Sequence, residues 1–175
     1  MNKIIRKKYI KNMGNDLLLR MPIEYEPLRK NRFLLRFPSD LGIQEWWVSS
    51  AARPSIKIGS TEIQFLNTST YVAGRYNWES INITLRDPIG PSASQAVMEW
   101  VRLHAESATG RMGYAVAYKR DIIIEMLDPT GTAISQWILK NCQITDVKFG
   151  ELQYDSDDLA TIEMTVQPYY CILSF

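Results

Sequence analysis

From residue 32 to residue 172 the chain is written largely in short β-favouring runs cut by turn residues, a texture that restricts it to folds built mainly of strands. The clearest run is Ile81-Asn82-Ile83-Thr84-Leu85-Arg86. Its strict alternation puts Ile81, Ile83 and Leu85 on the buried face of a strand that Asp87-Pro88 ends. Residues 32–37 and 43–48 read as strands, punctuated by Pro38, Gly42 and Pro54. Residues 55–58 and 62–66 flank Gly59-Ser60-Thr61 and read as a hairpin or long loop reaching Tyr71. Segments 121–127 and 133–139 form a hairpin across Asp128-Pro129-Thr130-Gly131, which places Pro second and Gly fourth, as a type I turn wants. The chain closes with strands at 142–149 and 161–172, separated by the acidic turn Asp155-Ser156-Asp157-Asp158.

One segment breaks the pattern. Residues 92–110 predict a helix: Ser92 and Gln95 have capping-box spacing, Val97, Trp100, Val101, His104 and Ala108 recur at helical intervals, and Gly110 suits its end. The expected fold class is therefore mainly β, a barrel or sandwich with one flanking α-helix.

Residues 1–30 hold no sustained period, and Pro22 and Pro27 interrupt their apolar patch. They read as an extended basic arm, with residues 31–175 forming the β domain. Eight basic and three acidic residues give the arm a net +5, leaving −4 for the remainder of a chain whose formal charge is +1. A chain of 175 residues suffices for one core. The basic start is followed by no apolar run of signal-peptide length, and no run approaches a membrane span, so cytosolic synthesis without stable membrane association is expected.

Catalytic chemistry finds little footing. The sole histidine, His104, lies on the apolar stripe of the helix and reads as a packing residue, because Glu106 and Ser107 beside it point to other helix faces. Cys142 and Cys171 lack metal-ligand spacing and read as buried thiols. The acidic turn has neither the glycine nor the bidentate glutamate of a calcium loop, and the glycines stand singly, so no phosphate cradle forms. No metal, cofactor or enzymatic activity is expected. Aromatic residues beside basic ones, as in Tyr114, Tyr118, Lys119 and Arg120, suit subunit contacts and also single-strand stacking. A single-strand-binding barrel and a ligand-binding barrel are thus the alternatives from other functional classes.

Two stretches carry a family resemblance. Tyr71-Val72-Ala73-Gly74-Arg75-Tyr76-Asn77-Trp78-Glu79-Ser80-Ile81-Asn82-Ile83-Thr84-Leu85-Arg86-Asp87 resembles the passage from the long inter-ring loop into a central strand in tail tube proteins of contractile-tailed bacteriophages. Gly150-Glu151-Leu152-Gln153-Tyr154-Asp155, followed by residues 161–170, resembles the closing hairpin of that T4-type tail tube family. The order of the parts between them agrees over about residues 31–171, and secretion-system and pyocin inner tubes are similar in architecture.

The resemblance implies a structural virion protein whose copies form a ring, six-fold in the family, with strands lining a lumen and rings stacking into a tube that conducts DNA during ejection. It implies a tail sheath outside, a tape-measure protein inside, baseplate and tail terminator proteins at the ends, and a place in the virion tail after assembly in the host cytoplasm. On this reading residues 55–71 are the loop for ring stacking and lumen lining, with Ile56, Lys57, Ile58, Glu62, Ile63, Phe65 and Tyr71 as contact candidates; an ordinary internal hairpin is the alternative. Arg6, Lys7 and Lys8 of the arm join them. The arm exceeds what a minimal tube subunit needs, which suggests either a clamp between rings or a specialised ring, such as a baseplate tube initiator or a terminal ring of the same fold.

Overall fold

Alternation in β5 (Ile81–Arg86) marks where the core begins: Ile81, Ile83 and Leu85 are buried while Asn82 and Arg86 face solvent. The structure, a computed structural model, describes residues 25–175. Across β5 lies β8 (Thr161–Gln167), antiparallel, with Ile83 opposite Met164, so that Ile162, Met164 and Val166 extend the same buried face. Beyond β8 runs β7 (Ala133–Lys148), then β6 (Arg120–Leu127) and, at one edge, β1 (Phe33–Arg36). On the far side of β5, β2 (Val48–Ala51) forms the other edge. A short β9 (Tyr170–Leu173) continues along β7 in line with β8, with Leu139 opposite Cys171.

Three sequence expectations change here. Segments 133–139 and 142–149 are one strand, the 16-residue β7, which stays continuous because Asn141 adopts φ 52° and absorbs an irregularity opposite Asp121. Of the strand expected at residues 43–48, only Val48 is strand, as the first residue of β2. Two 3-10 turns, Ser39–Leu41 and Glu45–Trp47, occupy that region, and they carry Leu41, Ile43 and Trp47 into the core. Nor does the sheet close into a barrel: β1 and β2 are its two ends, and among the described residues no pairing joins them. Both strands are four residues long, and the link between them is used to plug the core with Trp47.

Helix α1 (Ala93–His104) begins as its sequence indicates, with the Ser92 hydroxyl accepting from Gln95 N–H at 3.4 Å. Asp87 adds a second cap, its Oδ1 accepting from Ala93 N–H (2.9 Å) and Ser94 N–H (3.2 Å). Ala93, Val97 and Trp100 are the buried stripe, with Trp100 edge-on to Phe37 and its Nε1–H donating to Tyr118 O at 2.7 Å. The helix stops at His104, short of Gly110. Gly113 explains the early stop: its N–H donates to His104 O (3.0 Å), and its backbone approaches so closely that a Cβ there would lie 1.9 Å from Leu103 O. After that return, α2 (Ala115–Tyr118) brings Tyr118 into a stack on His104, ring centroids 3.9 Å apart, which gives the histidine its packing role.

The hairpin between β6 and β7 forms as its turn sequence indicates. Gly131 N–H donates to Asp128 O at 3.2 Å, and the Asp128 side chain accepts from Thr130 N–H and Thr132 N–H, both at 2.8 Å. Cys142 and Cys171 are buried free thiols, and burial pushes them up to about 12 and about 11.

Candidate assembly interface

A second sheet stands apart from the first. Among the described residues, strands β3 (Ile56–Phe65) and β4 (Thr68–Trp78) pair only with each other, and every residue in them except Trp78 is exposed. The hairpin is rooted where Glu79 N–H donates to Ser55 O (2.9 Å) and Trp78 packs edge-on against Trp137. Its reversal is at Leu66-Asn67, between paired Phe65 and Thr68, with Leu66 at φ 52°. The turn expected at Gly59-Ser60-Thr61 is therefore strand, and the second arm extends past Tyr71 to Trp78.

Gly59 serves a different purpose. The register runs from Ile58 opposite Tyr76 to Ser60 opposite Ala73, so Gly59 faces two residues, Gly74 and Arg75, across a β-bulge. The backbones approach closely there: a Cβ on Gly59 would lie 3.2 Å from Arg75 O, and one on Gly74 3.3 Å from Gly59 C.

Strand alternation sorts the side chains. Near the root, Ile56 and Ile58 share a face with their partners Trp78 and Tyr76, while Lys57 and Asn77 occupy the other. Beyond the bulge the polarity exchanges. The face of Ile56 continues through Ser60, Glu62 and Gln64, with Tyr71 opposite Glu62, whereas the face of Lys57 continues through Thr61, Ile63 and Phe65, with Val72 opposite Thr61. Phe65 is 71% exposed and Leu66 87%.

The structure thus brings Ile56, Lys57, Ile58, Glu62, Ile63, Phe65 and Tyr71 together on one projecting ribbon. Arg6, Lys7 and Lys8 lie outside the described residues. Leu66, Val72 and Tyr76 belong to the same exposed apolar set and were not singled out from sequence, although each lies in or beside a run of β-favouring residues. A two-stranded ribbon so apolar on the outside is poorly stable alone in water and asks for a covering surface.

Among the described residues, β1 and β2 pair with no further strand at the two sheet edges. Arg36, on the edge strand β1, pairs with the buried Glu125 at 3.0 Å, and Gln136 Nε2–H donates to the same carboxylate at 2.9 Å. Among the described residues no group of three or more His, Cys, Asp or Glu side chains comes together as a metal site would require. No helix of the described residues is long and apolar enough to cross a membrane.

A family model described as T4-like virus tail tube protein gp19 matches residues 29–170. Among solved structures, the fold is similar to a chain of the anti-feeding prophage cap (AFP tube terminating cap), with a TM-score of 0.70 and 18% identity over 93% of this chain and 97% of that one. It is similar also to a chain of the PVC sheath-tube complex of an extracellular contractile injection system in its extended state, with a TM-score of 0.69 and 17% identity over 91% and 99% of the two chains. A chain of the anti-feeding prophage baseplate gives a TM-score of 0.58 and 12% identity, over 85% and 96%. Comparison with curated proteins finds no match.

Proposed function

This chain belongs to the T4-like virus tail tube protein family, and from that premise we propose that it is a protomer of the inner tube of a contractile tail, its copies closing into hexameric rings that stack around a lumen conducting DNA. The observation that carries the reading is the β3–β4 hairpin, which holds Ile58, Phe65 and Leu66 outside the core on a ribbon that pairs with nothing else in the described chain. The open edges β1 and β2 support it as well, because an unpaired edge is an aggregation liability that a neighbour's edge removes. A heterologous contact of that kind makes a ring when its rotation closes.

In this role the protein works by assembly and not by catalysis. Its partners are then further copies of itself, a surrounding sheath, a tape-measure protein within the tube, and baseplate and terminator proteins at the ends. It resides in the tail of the particle, having been assembled in the host cytoplasm. The basic arm expected over residues 1–30 lies, for its first 24 residues, outside the described residues.

Negative-stain electron microscopy of purified protein across a concentration series tests the reading. Rings or tubes with a central hole are expected; a monomer persisting at every concentration would overturn it. A second reading, a terminal ring of the same fold, is favoured by the likeness to the tube terminating cap. Growth separates the two, since a main tube subunit elongates and a terminal ring stops at a fixed height.

A further inference from the structure

The net charge of the β domain is concentrated in one place. Residues 31–175 hold twelve basic and sixteen acidic side chains, a net −4, and residues 149–160 alone account for it, with Glu151, Asp155, Asp157 and Asp158 and no basic residue. The remainder of the domain is neutral. These carboxylates border a groove of about 610 Å³ whose lining includes Glu151, Leu152, Tyr154, Asp158 and Leu159, and its three apolar side chains are exposed. Ile89, exposed as well, is brought near by the hydrogen bond that Asp87 N–H donates to Ala160 O at 3.0 Å. The surface is thus both apolar and acidic.

Residues 1–11 have the complementary composition. They carry Lys3, Arg6, Lys7, Lys8 and Lys11 with no acidic side chain, interleaved with Ile4, Ile5, Tyr9 and Ile10. They precede the described residues, which begin at the end of the sheet far from the groove. Glu26 pairs with Arg32 at 3.7 Å, Phe33 lies opposite Met126 and Met126 opposite Ser135, whereas the groove opens past Lys148, at the other end of β7. Thirteen residues of strand lead from Ser135 to Lys148, roughly 43 Å at ~3.3 Å per residue. Lys11 and Lys3 stand fourteen and twenty-two residues before Tyr25, extended contour lengths of roughly 46 and 73 Å. The tether therefore spans the sheet, and it keeps the basic segment near its own groove at an effective concentration that no second copy matches in dilute solution.

We propose that residues 1–11 dock on the groove formed by residues 149–160 of the same copy, their cations against the four carboxylates and their isoleucines against Leu152, Tyr154 and Leu159. The contact goes beyond the tube reading and does not depend on it. It covers the most acidic surface of a single copy, and added salt releases it, because its charges lie in water.

Energy transfer within the full chain tests it. A donor on Asn2→Cys and an acceptor on Ala160→Cys report the distance, while Cys142 and Cys171, buried with thiols pushed up to about 12 and about 11, stay unlabelled. At nanomolar concentration transfer should be strong, and it should fall roughly twofold or more in about 1 M salt, where the Debye length is about 3 Å. The variant Arg6→Glu, Lys7→Glu, Lys8→Glu should lose it equally. Adding Asp155→Lys, Asp157→Lys and Asp158→Lys to that variant should restore it, since a reversed segment then meets a reversed groove. The three aspartates are exposed, so an unchanged melting temperature verifies folding. Transfer that ignores salt and charge reversal, or a six-fold variant no better than the triple one, would overturn the inference. So would equal transfer between singly labelled donor and acceptor chains, which would assign the segment to a second copy.

Discussion

The Asp121 carboxylate accepts a 2.9 Å hydrogen bond from Asn141 N–H and a 2.6 Å one from the Lys140 ammonium, so one side chain holds both residues of β7 that bulge opposite it. Burial pushes the Asp121 carboxyl up, but its bonds to Lys140 and Asn141 outweigh that and hold it below the ordinary carboxylate range. Asp121→Ala should lose about 1 kcal/mol in chemical denaturation, toward the low end for a charged hydrogen bond because the pair is partly exposed. Asn141→Val, forced to φ 52°, should lose about 1–2 kcal/mol, whereas Asn141→Gly should stay within about 0.5. Equal stability of the Val and Gly variants would show that the kink relaxes freely.

Helix α1 depends on Asp87. Burial raises its carboxyl, but hydrogen bonds from Ser94, Ala93 and Ser92 outweigh that and hold it below its ordinary 3.8. A group depressed on folding contributes stability that is present above its unfolded value and lost as pH falls through the folded one. Asp87→Ala should therefore cost about 1–2 kcal/mol at pH 7, with the difference from wild type shrinking below about pH 3.8. A difference that persists undiminished at pH 2 would assign the effect to packing and not to charge.

Ile83 is 1% exposed, in the core and opposite Met164. Ile83→Asp buries an unpaired carboxylate at a cost of several kcal/mol, comparable with the whole stability of a domain. The variant should show no cooperative thermal transition by circular dichroism. A soluble variant with a wild-type transition would mean that β5 presents its other face to the core.

Ile63→Ser with Phe65→Ser removes exposed apolar surface from the hairpin. Monomer stability should change by less than about 0.5 kcal/mol, as for other surface positions, while ring or tube yield in electron micrographs falls sharply. Undiminished tubes would return the hairpin to the status of an internal element with no role in assembly.

Deleting residues 1–24 should leave the melting temperature of the β domain unchanged and shorten the tubes, because the deleted segment lacks a packing period and carries net positive charge. Loss of the cooperative transition in the truncated chain would make that segment part of the core.

Local sequence was decisive wherever one residue's conformation or one face's burial settles the outcome. The alternation of Ile81, Ile83 and Leu85, the Ser92 cap, the Asp128-to-Gly131 turn and the buried thiols could be read directly, because each is a contract between near neighbours or between one side chain and water. The family, too, was legible in the order of these parts. Other features turned on contacts distant in sequence. Gly113 ended the helix that Gly110 was expected to end, because only the fold brings its backbone onto Leu103. Gly59 became a bulge because Gly74 and Arg75 lie across from it, and the hairpin turned at Leu66 because that register pairs Ile63 with Thr70. Sequence determined which residues are apolar and which segments prefer strand. Tertiary structure alone decided that Ile63, Phe65 and Leu66 lie outside, since burial is a property of the whole packed chain: the core was already filled by Trp47, Trp100 and the inner face of the sheet, and the hairpin's apolar surface was left outside it.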